Sequence, residues 1–495
     1  MHYLSFLPAT RGFWIGIIIF FLIIFLPNPE NVSESSQNMA AVALLMAVWW
    51  MTETLPLGIT ALLPLVLYPL TSIMTTAEVA PNYTNHLVFL FMGGFFIALA
   101  LQEWELHRRF ALFTIALLGS RPRRIFLSFM LVSAFLSMWI SNTATAIMML
   151  PIATAVIVHM EQEGGKQSRF ISRFAPVLML GIAYSCSIGG ITTLIGTPPN
   201  IIFMGIYNKF FPKAPELSFF RWMVFMIPLS VLLFISIWIF LGYGKIRKKD
   251  LPKSQPGQYF REKYRELGPL TKPQKWVLTV FIGTALMWIF RSDIHFGFIT
   301  IRGWPAFLGL QGWVQDSTIA IAMAILLFII HIRDESGTRP LLKLKNIFQI
   351  PWDILLLFGG GFALAEGIQT SGLADLIGNQ LGFIGNFPLW PMLLIISLCI
   401  IFFTEFTSNT AVATTILPIM AVLAINLGLD PLLIMLPATV ASSCAFMLPV
   451  ATPPNAIIFG SRYISIQMMV RVGIWLNLLS TLIISSYFYL LFHFL

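Results

Sequence analysis

Charge is scarce in this chain of 495 residues. Only 10% of them are Asp, Glu, Lys or Arg, against about 25% in an ordinary soluble domain. With 57% hydrophobic residues, a water-facing surface cannot be built, and a soluble globular protein is excluded. Cysteine is scarcer still. Cys186, Cys399 and Cys444 all fall in apolar segments, so they offer no disulfide framework or metal cluster and read as inert core residues. Basic residues are missing where they would matter most. Residues 125–161, 174–208, 387–429 and 431–461 contain no Lys or Arg, one His (His159, near an end) and one interior carboxylate, Glu405. These stretches hold no nucleophile–base pair, no metal cluster and no phosphate-cradling glycine loop. That is not an enzyme's inventory.

The net charge of +9 does not imply a nucleic-acid partner, because its distribution has another cause. On the topology below, only Lys209, Lys213, Arg221, Arg291 and Arg302 of the thirty basic residues fall outside. That asymmetry is the positive-inside rule of membrane proteins.

What is present is a polar sequence that occurs twice in apolar surroundings. Residues 137–151 read S-M-W-I-S-N-T-A-T-A-I-M-M-L-P, and residues 404–418 read T-E-F-T-S-N-T-A-V-A-T-T-I-L-P. Both share S-N-T-A and a later proline. A polar tripeptide at membrane depth is costly unless it meets a partner, a cavity or a ligand. A lone copy is explained by Ser and Thr bonding back to their own helix; two copies in a larger repeat predict two halves closing on one site. A second pair accompanies the first: Thr197-Pro198-Pro199-Asn200 and Thr452-Pro453-Pro454-Asn455. Each interrupts an apolar segment, since two prolines remove two backbone donors and free carbonyls one turn earlier.

Apolar runs predict eleven spans: residues 12–27, two within 39–70 broken at 52–56, then 87–103, 174–208, 219–243, 276–290, 317–331, 351–368, 430–461 and 472–495. The first run reads as a retained span rather than a signal peptide, because no small-residue cleavage site follows it. Residues 103–120 and 373–385 read as amphipathic pieces along the interface. Residues 125–160 carry basic flanks at both ends, Arg121 to Arg124 and Lys166, Arg169 and Arg173; they form a re-entrant hairpin entering from inside. Residues 391–426 have no basic flank and form a hairpin entering from outside. Asn142 and Asn409 are 267 positions apart, as are Gly93 and Gly360 in two glycine runs. After the first span, two units of five spans follow. Five is odd, so the halves have opposite orientation, as in secondary transporters with inverted repeats. The predicted class is an all-α polytopic membrane protein of about eleven transmembrane helices and two re-entrant hairpins.

Hydroxyls, carboxamides and helix N-termini suit an anion. Freed carbonyls and Ser, Thr or Asn oxygens suit a small hard cation. An anion with two carboxylates fits two S-N-T ends. With no protein cation nearby, a co-bound Na⁺ beside each S-N-T offsets its charge.

The paired S-N-T and T-P-P-N motifs, Trp50-Met51-Thr52-Glu53, and residues 404–410 resemble the divalent anion/sodium symporter family, the sodium–dicarboxylate cotransporters (solute carrier family 13-like), over essentially the whole chain. The resemblance implies Na⁺-coupled uptake of succinate, malate and fumarate by a homodimer with an elevator mechanism and no organic cofactor. It implies a scaffold (residues 1–120 and 276–385), a transport unit (121–243 and 386–495) and a cytoplasmic linker (244–275). The membrane would be the bacterial inner membrane, with the N-terminus inside and the C-terminus outside.

Carried onto this sequence, the first sodium site uses Ser137, Ser141, Asn142 and the Gly196 backbone. The second uses Thr404, the Thr407 backbone, Asn409 and the Ala451 backbone. Substrate meets Ser141, Asn142 and Thr143 on one side and Ser408, Asn409 and Thr410 on the other. Thr452 and Pro453 border it, with Thr197 and Pro198 as their repeat mates. Glu405 either tunes the second sodium site or holds the hairpin by hydrogen bonding. Glu53 and Glu366 read as helix-end or interhelical bonding groups in preference to a proton or ion relay, the glycine runs as close-packing surfaces in preference to hinges, and the sequons at Asn31 and Asn82 as chance. A Na⁺-independent exchanger, a citrate or sulfate transporter on the same fold, and an anion channel are the competing readings.

Overall fold

The computed structural model describes residues 11–28, 32–118, 121–164, 170–245, 256–296, 299–334 and 337–494. Asn31, Ser120, Lys166, Arg169 and residues 246–255 of the linker lie outside them.

The molecule is a predominantly helical polytopic membrane protein, and every predicted span coincides with helix. Length and apolarity alone mark six helices as able to cross a bilayer among the described residues, two of them hairpin arms. The others are shorter, broken or less apolar, and their ends have local causes. Glu34–Met51 starts at Ser33, whose side chain accepts from the Ser36 N–H, and ends at Thr52. Glu53 follows with a φ of 47°, a left-handed conformation that stops a helix, and Leu57–Thr60 begins after Pro56. Lys272–Ile289 opens on a capping box, Thr271 with Gln274, and a proline in its first turn.

Each half runs in the same order. The first has Glu34–Met51, Leu57–Leu70, His86–Glu103, the amphipathic Leu106–Leu118, a hairpin, a broken helix and Phe219–Lys245. The second has Lys272–Ile289, Asp316–Ile329, Trp352–Thr370, the amphipathic Leu373–Leu381, a hairpin, a broken helix and Ile466–Phe494. The halves meet symmetrically. Gly93 packs on the backbone of Ala320, and Gly360 on that of Ala61. Phe91 and Phe358, equivalent by the 267-residue offset, touch edge to face with ring centroids 5.1 Å apart. The glycine runs are thus close-packing surfaces, with no room for a Cβ at Gly93 or Gly360.

Three features depart from the sequence reading. Two short antiparallel β-hairpins, Ile294–Phe296 with Ile299–Ile301 and His331–Asp334 with Gly337–Pro340, join helices. The linker contains a helix, Pro256–Glu266. Arg109, buried on the amphipathic helix, caps the turn after the linker helix, donating to the carbonyls of Gly268 (2.7 Å) and Leu267 (2.9 Å). Cys186 and Cys444 are buried, but Cys399 is exposed on an apolar hairpin arm.

Two of the basic residues assigned outside are paired. Lys209 lies 2.8 Å from Glu366, whose carboxylate also accepts from Asn82. Arg291 bridges Asp316 and Glu216, each at 2.5 Å. Asn82 is itself buried, which withdraws its sequon from the surface.

Candidate functional site

The first hairpin is Pro122–Ser137 and Asn142–Gly164; the second is Leu389–Thr404 and Asn409–Leu427. In each, the second arm starts at the asparagine of S-N-T. The first broken helix is Ile171–Thr192 and Pro198–Phe210; the second is Pro431–Ser442 and Pro453–Gly460. Four helix N-termini therefore converge.

They line one cavity of about 510 Å³. Ser141, Asn142, Thr143, Gly196, Thr197 and Pro198 come from the first half, and Ser408, Asn409, Thr410, Ala451, Thr452 and Pro453 from the second. No Lys, Arg or His is among the described residues that line it. Ser137 and Thr404 lie behind the wall, fully buried. Thr407 is half-buried beside it, its hydroxyl 3.4 Å from the Phe403 carbonyl.

The two halves share a bonding skeleton. Ser137 Oγ donates to Asn142 Oδ1 at 2.5 Å, and Thr404 Oγ1 to Asn409 Oδ1 at 2.8 Å. These bonds aim both carboxamides. Asn142 also needs Gly190, where a Cβ would collide with its Oδ1. At each break an asparagine spans the gap. Asn200 Nδ2 donates to the carbonyls of Gly190 (3.0 Å) and Thr193 (2.7 Å); Asn455 Nδ2 donates to those of Ala445 and Leu448, both at 3.1 Å.

The T-P-P-N helices are weaker anion cradles than their N-termini suggest. Prolines fill their first two positions, so two of the four free N–H groups of an ordinary helix start are missing. Thr452 accepts a capping bond from the Asn455 N–H, while Thr197 makes none. Anion-facing amides must come from the S-N-T ends; the broken helices supply carbonyls instead.

Glu405 serves the second hairpin as an anchor. It is fully buried and accepts from the backbone N–H groups of Phe446 (2.6 Å), Met447 (2.8 Å) and Leu448 (3.0 Å) and from Asn477 Nδ2 (2.7 Å). Three donors reach Oε1 and one Oε2, and they fasten the hairpin tip to the unwound part of the second broken helix and to the last helix. Of the two roles open from sequence, the structure shows hydrogen-bonded anchoring, directed at the broken helix rather than across the hairpin arms.

Sequence reasoning missed the opposite wall, made by Leu57, Phe91, Phe95, Ile354 and Leu357 with Glu53 and Asp353. Nothing in an apolar span says which face will meet a cavity. It also gave no role to Gly190 or to the asparagines of T-P-P-N, although the repetition of the latter was a usable signal.

A helical bundle with paired hairpins and broken helices around a cavity is the architecture of a secondary transporter. The sodium:sulfate symporter transmembrane region matches residues 10–493, so the chain belongs to that family and is a membrane transporter, not an enzyme. It is 41% identical to the sodium-dependent dicarboxylate transporter SdcS of Staphylococcus saprophyticus over 97% of this chain and 91% of that protein. It is 42% identical to the transporter of the same name from Staphylococcus aureus over 96% and 91%. Its fold is similar to the Alcanivorax borkumensis YdaH transporter (TM-score 0.55, 13% identity, covering 93% and 99% of the two chains). It is also similar to Neisseria gonorrhoeae MtrF (TM-score 0.56, 10% identity, covering 97% and 94%).

Proposed function

We propose that this protein carries four-carbon dicarboxylates such as succinate, malate and fumarate across the bacterial cytoplasmic membrane, coupled to Na⁺. The observation that carries the reading is the cavity itself: both S-N-T ends meet there with no cationic side chain on the wall. A dianion in such a place needs positive charge, and S-N-T amides offer only partial charge. The half-buried oxygens of Asn142 and Asn409 and the buried hydroxyls of Ser137 and Thr404, with carbonyls freed by the prolines, suit Na⁺ as the missing counter-charge. On this reading Ser137, Ser141, Asn142 and Gly196 hold one ion, and Thr404, Thr407, Asn409 and Ala451 the other. The names of the staphylococcal relatives point the same way.

Transport proceeds by an elevator movement in a homodimer, with residues 121–243 and 386–495 moving against 1–120 and 276–385. The tight hydrogen bonding between hairpins and broken helices supports one mobile unit, and the apolar wall of Leu57, Phe91 and Leu357 supports a smooth surface to slide on. The lining includes Glu53 and Asp353, beside segments that the charge asymmetry assigns to the inside. With the N-terminus inside and the C-terminus outside, as that asymmetry has it, the cavity opens inward.

The test is uptake of radiolabelled succinate into proteoliposomes with an inward Na⁺ gradient or with choline. Uptake that requires Na⁺ supports the symporter; equal uptake in both sinks it in favour of a Na⁺-independent exchanger. Competition by citrate and sulfate establishes the preferred anion.

A further inference from the structure

The asparagines that close the T-P-P-N motifs are not lining residues of the cavity, yet both are completely buried. They make the same bonds in two halves that otherwise differ in sequence. Asn200 bonds the carbonyls of the tenth and seventh residues before it, and so does Asn455. In both, the nearer carbonyl is shared. Thr193 O also accepts from the Gly196 N–H, and Leu448 O from the Ala451 N–H, each at 3.3 Å. In both, the Oδ1 atom has no hydrogen-bond partner. A buried carboxamide with both donors used and its acceptor idle is there to donate.

What it holds is the turn that presents Gly196 or Ala451. In the first half the linkage is direct. Asn200 Nδ2 grips Gly190 O, which packs so close to Gly196 that a Cβ there would strike it; a Cβ on Gly190 would in turn strike Asn142 Oδ1. One amide group thus fixes the carbonyl turn and the carboxamide relative to each other. Without it, Gly190 O and Thr193 O would lose a buried donor, and an interrupted helix has few others to offer.

We infer that Asn200 and Asn455 are positioning residues for cation binding. Each clamps its interrupted helix so that the Gly196 or Ala451 backbone and the S-N-T asparagine keep the spacing of an ion site. The inference rests on the sodium reading above and adds two residues that touch neither ion nor anion. A small cation is sensitive to such a clamp, because its ligands must sit within a few tenths of an ångström of their places.

The experiment measures the melting temperature of the full-length protein in detergent, in choline chloride and across a NaCl titration, for wild type, Asn200→Ala and Asn455→Ala. Uptake of succinate against Na⁺ is measured in proteoliposomes of each. Each variant is expected to melt lower in choline, to show a smaller rise in melting temperature with Na⁺, and to need about tenfold more Na⁺ for half-maximal uptake. Asn200→Ser, which keeps one donor, should shift the same way by less, and it serves if the alanine variant does not fold. A loss of stability in choline with an unchanged Na⁺ response would mean ordinary packing and would overturn the inference. A wild-type protein indifferent to Na⁺ would instead overturn the sodium reading itself, and this inference with it.

Discussion

The two halves reach similar geometry around the cavity by different means, and the contrast is sharpest at the breaks. In the first half the helix runs to Thr192 and resumes at Pro198. In the second it stops at Ser442 and resumes only at Pro453. Gly190 is helical, whereas its counterpart Ala445 is not. The cause is one residue at the hairpin tip. Glu405 occupies the position that Met138 holds in the first hairpin, by the 267-residue offset. Its carboxylate takes the N–H groups of residues 446–448, which in a helix would go to carbonyls four residues earlier. Met138 offers no side-chain acceptor; there the hairpin is tied by its backbone, with Thr193 Oγ1 donating to Met138 O. A buried carboxylate thus lengthens the break and sustains it. The lesson is that symmetry is kept in the carboxamide bonds of S-N-T and T-P-P-N and abandoned in how each hairpin tip is tied to its broken helix.

This comparison can be broken in three places. The largest effect is expected at the symmetric core: Asn142→Ala and Asn409→Ala should each abolish Na⁺-dependent succinate uptake while the protein still folds and elutes as a single species. Retained uptake in one of them would show that the halves are unequal where they look alike. Next comes the asymmetric support. Glu405→Ala leaves three backbone N–H groups and the Asn477 amide without their acceptor, a cost of about 3 kcal/mol or more. Met138→Ala removes a half-buried side chain, costing about 1 kcal/mol. Denaturation of both variants in detergent should separate them clearly, and equal losses would refute the anchoring role. The smallest effect lies at the caps. Thr452→Ala removes a capping bond that Thr197 does not make, so it should cost about 1 kcal/mol more than Thr197→Ala. The difference in melting temperature measures it.

Much of this was legible without coordinates. Apolar runs located the helices, and the prolines of T-P-P-N located both breaks. The S-N-T repeat located the ends that line the cavity. The β-hairpins joining helices were not legible, because their strands are only three or four residues long, too short to show a period. The paired role of Lys209, Arg291 and Glu366 was equally hidden. Charge counting assigns such residues a side of the membrane but not a partner, and Glu366 finds its cation 157 positions away in the chain.

By itself the sequence determined what must hold wherever chain meets lipid: which segments are helical, where helices must stop, and which polar groups need company. Those follow from local covalent facts, such as a missing proline N–H or a polar side chain in hydrocarbon. Tertiary structure alone decided which partner each polar group took. Glu405 could bond its own arms or another element, and only the docking of hairpin on broken helix brought the N–H groups of residues 446–448 within reach. Asn200 is an ordinary helix-start residue until the chain before it folds back and offers the carbonyls of Gly190 and Thr193. Such pairings depend on shape complementarity between distant segments, which is not present in either segment alone.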